Sequence, residues 1–188
     1  MDVRVVACGS VDDGKSTLIG RLLHDAGRIS DDERDALRAA SARHGTRGGA
    51  IDYALLLDGL EAEREQGITI DVAWRHLETS ARRFLIADCP GHVQYTRNMA
   101  TGASNADAAI LLVDATRGLQ PQSMRHAAIM AVLGVPEVVL AVNKLDLLED
   151  PAAAFGDISS RFLAHAQRLG LGKVQAVPVS AKLSCPLC

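Results

Sequence analysis

Gly9-Ser10-Val11-Asp12-Asp13-Gly14-Lys15-Ser16 is the stretch whose reading decides the fold. It follows the short apolar run 3–8 and leads through Thr17 into Leu18-Ile19-Gly20-Arg21-Leu22-Leu23, which has helical periodicity. Strand, glycine-rich loop and helix in that order form the setting in which G-x-x-x-x-G-K-S cradles phosphate. Gly9 and Gly14 let the backbone curl until successive N–H groups converge on an anion, at the positive end of the helix that follows. Lys15 then reaches the outer phosphates as a point charge, and the Ser16 hydroxyl is a magnesium ligand. Residues 9–17 are therefore expected to hold a nucleoside triphosphate.

Working outward, the chain alternates apolar runs with helical patterns. Ser30-Asp31-Asp32-Glu33 opens a helix with acidic residues where the helix dipole favours them, and Ala36, Leu37 and Ala40 supply its apolar stripe. Residues 71–78 and 82–87 read as two strands of an antiparallel hairpin joined at Thr79-Ser80-Ala81. The runs 108–113 and 138–142 are nearly all apolar, as in strands buried on both faces of a parallel sheet. Between them Pro121 starts a helix with Met124, Ala127, Ala128 and Ala131 on one face, stopped by Gly134 and Pro136. A further helix covers roughly 152–169, and 174–179 is a last strand. Residues 61–66 favour helix, and Gly67-Ile68-Thr69-Ile70 opens a strand. The expected architecture is α/β: a six-stranded, mostly parallel sheet with helices on both faces.

Length and composition bound the function. A chain of 188 residues fits one domain, and 48% hydrophobic with 23% charged residues is the balance of a globular protein. A net charge of −3 gives no electrostatic case for non-specific nucleic-acid binding. No apolar run approaches a membrane span, and Met1-Asp2-Val3-Arg4 lacks a signal-peptide pattern, so a cytoplasmic protein without membrane attachment is expected. Cys8 and Cys89 read as reduced thiols; Cys185-Pro186-Leu187-Cys188 lacks the second pair a zinc ribbon needs.

Base identity needs a second site, and Asn143-Lys144-Leu145-Asp146 offers one after a buried strand. An ionised Asp146 accepts two hydrogen bonds, matching the adjacent N1–H and N2 amine of guanine. Adenine has no such pair of donors, and a site built on these bonds rejects it by roughly 10⁴. Lys144 is expected to lay its stem over the base, and Asn143 to tie the base loop to neighbouring backbone. Ser180-Ala181-Lys182 places the Ala181 N–H near the guanine O6.

Asp88 ends its strand where a carboxylate can support magnesium. The turn Asp88-Cys89-Pro90-Gly91-His92 brings the Gly91 N–H toward the γ-phosphate, and His92 is placed to orient the attacking water. Lys15, Gly91 and His92 are the candidates to act on the reacting phosphate.

Gly9–Ser16, Gly67–Ile70, Asp88–His92 and Asn143–Asp146 together resemble the translation-factor class of P-loop GTPases. Residues 11–23, 58–73 and 94–104 narrow the resemblance to the GTP-binding large subunits of bacterial sulfate adenylyltransferases; Asp13 stands where translation factors commonly carry His, Ser or Ala. The resemblance implies a three-layer GTPase domain over 1–182, binding GTP or GDP with magnesium. It also adds Thr69 to Ser16 and Asp88 as a metal ligand. It implies that GTP hydrolysis drives formation of adenylyl sulfate from ATP and sulfate on a separate small catalytic subunit. Cys89, Val93 and Lys182 depart from the family pattern, where Thr, Glu and Leu are usual, and 183–188 does not continue it. The chain thus reads as the GTPase part of a longer protein. An RNA-binding elongation or release factor GTPase, and an unrelated P-loop kinase or ATPase, are the competing readings.

Overall fold

In the first strand, β1 (Val3–Gly9), Val5 and Ala7 point to one face while Val6 and Cys8 point to the other. That period-2 alternation, apolar on both sides, buries the strand between two layers. The computed structural model describes residues 2–27, 29, 31–44, 51–57 and 72–182. Among them six strands form one sheet: β1, β2 (Ala73–Glu78), β3 (Arg83–Asp88), β4 (Ala108–Asp114), β5 (Glu137–Asn143) and β6 (Lys173–Pro178). Their order is β2-β3-β1-β4-β5-β6. Every neighbouring pair is parallel except β2 and β3, the expected hairpin.

Helices cover both faces. On one, α1 (Lys15–Asp25) lays Ile19 and Leu23 against Val5, Ala7, Leu77 and Ile86. On the other, α3 (Thr96–Ala103), α4 (Pro121–Leu133) and α5 (Pro151–Leu169) pack Met99, Met130 and Phe162 against Val6, Leu111 and Leu140. The remaining helix, α2 (Asp31–His44), carries Asp31, Asp32 and Glu33 in its first turn.

Boundaries move by a residue or two. Strand β3 runs on to Asp88 because Ala7 pairs with it across the sheet, and α5 starts at Pro151 behind an Asp150 cap. Two expected stripes shift. In α2, Leu37 is buried but Ala36 is exposed. In α4 the buried residues are Gln122, Ser123, His126, Ala127 and Met130, while Met124, Ala128 and Ala131 are only half-buried. The helix turns a partly polar face inward, toward the phosphate loop, which an apolar-periodicity reading cannot detect. Helix α3 is an addition to the sequence reading. The strand expected at 67–70, the helical stretch 61–66, Asp71 and the tail 183–188 lie outside the described residues.

Candidate functional site

Strands β1, β3, β4, β5 and β6 run parallel, so the loops after all five open at one edge of the sheet, where α/β folds bind ligands. There the loops after β1, β3, β5 and β6 line a cleft of about 760 Å³. Gly9 closes β1 with no room for a side chain: a Cβ would come within 2.7 Å of the Leu112 carbonyl oxygen. Gly14, at φ 94°, caps α1 in the left-handed region, and a Cβ there would stand 2.5 Å from Asn143 Nδ2. Both glycines are thus demanded by contact, and Gly14 also by conformation.

Three successive loop carbonyls are held by side chains from other elements. Arg117 Nη1 donates to Val11 O at 2.9 Å, Lys144 Nζ to Asp12 O at 2.6 Å, and Asn143 Nδ2 to Asp13 O at 2.8 Å. In a trans peptide the next residue's N–H points opposite to the carbonyl. Fixing these oxygens therefore aims the N–H groups of Asp12, Asp13 and Gly14 the other way, preforming an anion cradle. Lys15, 6% exposed, folds its ammonium onto the loop and donates to Ser10 O at 2.8 Å and Gly9 O at 3.3 Å. Its charge thus lies where phosphate oxygens would replace those carbonyls. The Asp13 carboxylate turns inward and accepts from the Ser10 N–H at 2.6 Å. Burial pushes its pKa above the ordinary value, opposed by that hydrogen bond and by the Lys15 charge.

Ser16 Oγ donates to Asp88 Oδ2 at 3.0 Å. A hydroxyl and a carboxylate side by side at the loop are hard oxygen donors. That set suits magnesium, which binds through one or two protein oxygens together with substrate phosphates. Thr69 lies outside the described residues. Beyond Asp88, a Cβ on Gly91 would fall 2.5 Å from Lys15 Nζ and 2.8 Å from Ser10 O. Only glycine lets this turn approach the lysine. His92 follows, exposed on the cleft rim, its ring edge-on to Tyr95 at 6.3 Å between centroids.

At the opposite end, Lys144 sits at φ 62° and starts the 3₁₀ turn that carries Asp146. Its ammonium bridges Asp12 O and Asp114 Oδ2, the latter at 2.7 Å. Burial opposes ionisation of Asp114, but hydrogen bonds from Lys144 and from the Thr116 hydroxyl and N–H outweigh it and lower its pKa. Asp146 is half-buried and lines the cleft with Ser180, Ala181 and Lys182. Asn143, 2% exposed, joins both ends: its Nδ2 donates to Asp13 O and its Oδ1 accepts from the Ala181 N–H at 3.0 Å.

The expected residues divide by placement. Val11, Asp12, Gly14, Lys15, Ser16, Thr17, Gly91, His92, Asn143, Lys144, Asp146, Ser180, Ala181 and Lys182 line the cleft. Gly9, Ser10, Asp13 and Asp88 stand behind them as supports. The Cys89 thiol turns into the core, 2.8 Å from where a Cβ on Gly102 would be. Pro90 does not line the cleft either. Burial raises the pKa of Cys89 and lifts that of Cys8 to about 12, so both stay thiols. The Ala181 N–H expected at guanine O6 is engaged by Asn143, and the Lys144 ammonium is tied to the phosphate loop and Asp114, which leaves its stem as the part expected over the base. Sequence reading missed Asp114, Arg117, Ala54 and Leu147. Asp114 carried a signal, because it ends an apolar strand just as Asp88 and Asn143 do, and the register pairs it with Asn143. Ala54, brought to the cleft by the turn Tyr53–Leu56, carried none.

Comparison with known proteins gives the family and the fold. The family described as "Elongation factor Tu GTP binding domain" matches residues 2–185. Sulfate adenylyltransferase subunit 1 of Cellvibrio japonicus is 58% identical over 179 residues, which are 95% of this chain and 38% of that protein. The bifunctional enzyme CysN/CysC of Xylella fastidiosa is 58% identical over 99% of this chain and 30% of its own length. The chain thus spans about a third of these relatives. Among solved structures, the GTP-bound Ski7 GTPase-like domain of S. cerevisiae superposes with a TM-score of 0.80. It is 19% identical, over 98% of this chain and 44% of that one, a likeness of fold.

Proposed function

The chain belongs to the elongation factor Tu GTP-binding domain family, and from that premise we propose that it binds and hydrolyses GTP as the GTPase domain of a sulfate adenylyltransferase large subunit. The observation that carries the nucleotide reading is the Asn143 side chain, which fastens the phosphate loop to the base loop through Asp13 O and the Ala181 N–H. One rigid unit then presents Lys15 to the phosphates and Asp146 to the base.

In this reading Asp146 accepts from guanine N1–H and N2. The loop N–H groups and Lys15 hold the β- and γ-phosphates. Ser16 and Asp88, with Thr69, hold magnesium, which when bound neutralises charge on the phosphate oxygens. Gly91 lets the turn reach the γ-phosphate, and His92 orients a water in line with it. The water oxygen forms a bond to γ-phosphorus as the bond to the β–γ bridging oxygen breaks. GDP keeps that oxygen, and the water's protons pass to the departing phosphate and solvent.

The 58% identity to sulfate adenylyltransferase subunits supports the purpose of the hydrolysis. A sulfate–phosphate anhydride is unfavourable to form from ATP and sulfate, so linking it to GTP hydrolysis through conformation supplies the missing drive. The partner in this reading is a small subunit that carries the adenylyl transfer. The test is GTP turnover by the full chain with and without that subunit, ATP and sulfate. Turnover that rises only when all three are present supports the assignment. Turnover indifferent to them removes the sulfate reading while leaving the GTPase one.

A further inference from the structure

A second cleft, of about 330 Å³, opens on the other side of the phosphate loop. Its inner wall is Ser10, Val11, Gly91 and His92; the last three also line the nucleotide cleft. The two spaces therefore meet at the turn where the γ-phosphate is read. The outer wall is Arg117 with Gln120, Gln122 and Arg125 from the start of α4. We propose that this second cleft is a binding site for orthophosphate, which holds the cleaved γ-phosphate on its way out; the proposal rests on the chain being a GTP hydrolase.

The wall chemistry suits a tetrahedral oxyanion. It offers two guanidinium groups and the Gln120 amide, with the Gln122 amide as their support, and no acidic side chain is among the described residues that line it. These groups are braced. Arg117 is pinned by Val11 O at 2.9 Å, which ties the cationic wall to the phosphate loop itself. Arg125 Nη1 donates to Gln122 Oε1 at 2.8 Å. The Gln122 amide nitrogen in turn stands 2.9 Å from the fully buried His126 Nε2 and 3.4 Å from Thr96 Oγ1 of α3. Burial, with the Lys15 and Arg125 charges, lowers the His126 pKa to about 4, so the ring is neutral and its Nε2 accepts from the amide. Gln122 is therefore held with its oxygen toward Arg125, and the guanidinium is set at the cleft rather than swept through solvent. A leaving phosphate beside Gly91 thus meets fixed positive charge one step farther from GDP. The same bracing runs to α3, so phosphate in this cleft also bears on the helix that follows His92.

The test titrates inorganic phosphate into the GDP-loaded full chain by calorimetry, comparing wild type with Arg125→Gln and with Arg168→Gln. Arg168 removes the same charge from the exposed face of α5. One charged hydrogen bond lost corresponds to about tenfold weaker phosphate binding in Arg125→Gln, with Arg168→Gln unchanged. In single turnover, acid-quench cleavage should precede phosphate release in wild type, and Arg125→Gln should shorten that lag with the cleavage rate unaltered. Equal phosphate affinity in all three proteins overturns the site while hydrolysis stands. Absence of acid-quench cleavage overturns the hydrolase reading, and the exit role with it.

Discussion

In the proposed function Asn143 and Asp146 divide the labour of the base loop: Asn143 joins it to the phosphate loop, and Asp146, on the cleft wall, is assigned the reading of the base. Asp146→Asn replaces an acceptor by a donor, so preference should move from guanine to xanthine nucleotides; competition binding with GTP and XTP measures it, and an unchanged ranking contradicts the role. Asn143→Ala should act on stability first. It leaves a buried carbonyl at Asp13 and a buried N–H at Ala181 unpaired, at about 1–3 kcal/mol each. Thermal unfolding should shift down by several degrees with GTP affinity falling alongside; loss of affinity without loss of stability would make Asn143 a direct ligand only. The placement of most cleft residues was legible in the sequence because each motif imposes its own backbone: glycines at forced contacts, a carboxylate at a strand end. Asp114 and Arg117 were harder to find, because their use depends on the β4–β5 register and on where the loop carbonyls point. The engaged Ala181 N–H was invisible for the same reason.

At the scale of elements, the turn Tyr53–Leu56 is the piece most tightly fitted to a helix. Gly20 lies in the interior of α1, where alanine would ordinarily be favoured by about 1 kcal/mol, yet a Cβ there would overlap the Tyr53 carbonyl oxygen. Arg21 stacks its guanidinium over the Tyr53 ring at 5.6 Å, and His24 meets the ring edge-on at 5.1 Å between centroids. The Asp52 carboxylate caps the turn by accepting from the Ala54 N–H, and the Asp52 N–H donates to Ser41 Oγ of α2. Ala54 is thereby held as a wall of the nucleotide cleft. Gly20→Val should push this wall away and speed dissociation of a fluorescent GDP several-fold; an unchanged off-rate would mean the wall does not touch bound nucleotide. The strands and long helices were readable from apolar period and caps. Helix α3 was not: it is eight residues long, has no side-chain cap, and carries Thr96, Thr101 and Gly102. Packing of Met99 and Ala103 against the core makes it a helix.

Across the whole molecule, the buried polar face of α4 links the phosphate loop to the core and makes stability sensitive to acid. His126 titrates at about 4 when folded and near its ordinary value of 6.5 when unfolded. Between those values the unfolded chain binds the extra proton, so stability is full above the unfolded value and is lost as pH falls. The loss is roughly 1 kcal/mol at about pH 5.5 and on the order of 3 kcal/mol near pH 4. Asp13, raised by burial, acts with opposite sign in the acid range. The difference between wild type and His126→Leu in melts from neutral to acid pH therefore isolates the histidine. The variant should show the shallower slope, and equal slopes would place the sensitivity elsewhere.

The central claim is that one rigid cleft reads both triphosphate and guanine, and calorimetry on the full chain with GTP, GDP and ATP in magnesium tests it most directly. The structure predicts tight binding of GTP and GDP with ATP weaker by roughly 10⁴. Equal affinity for ATP, or no nucleotide binding at all, would contradict it.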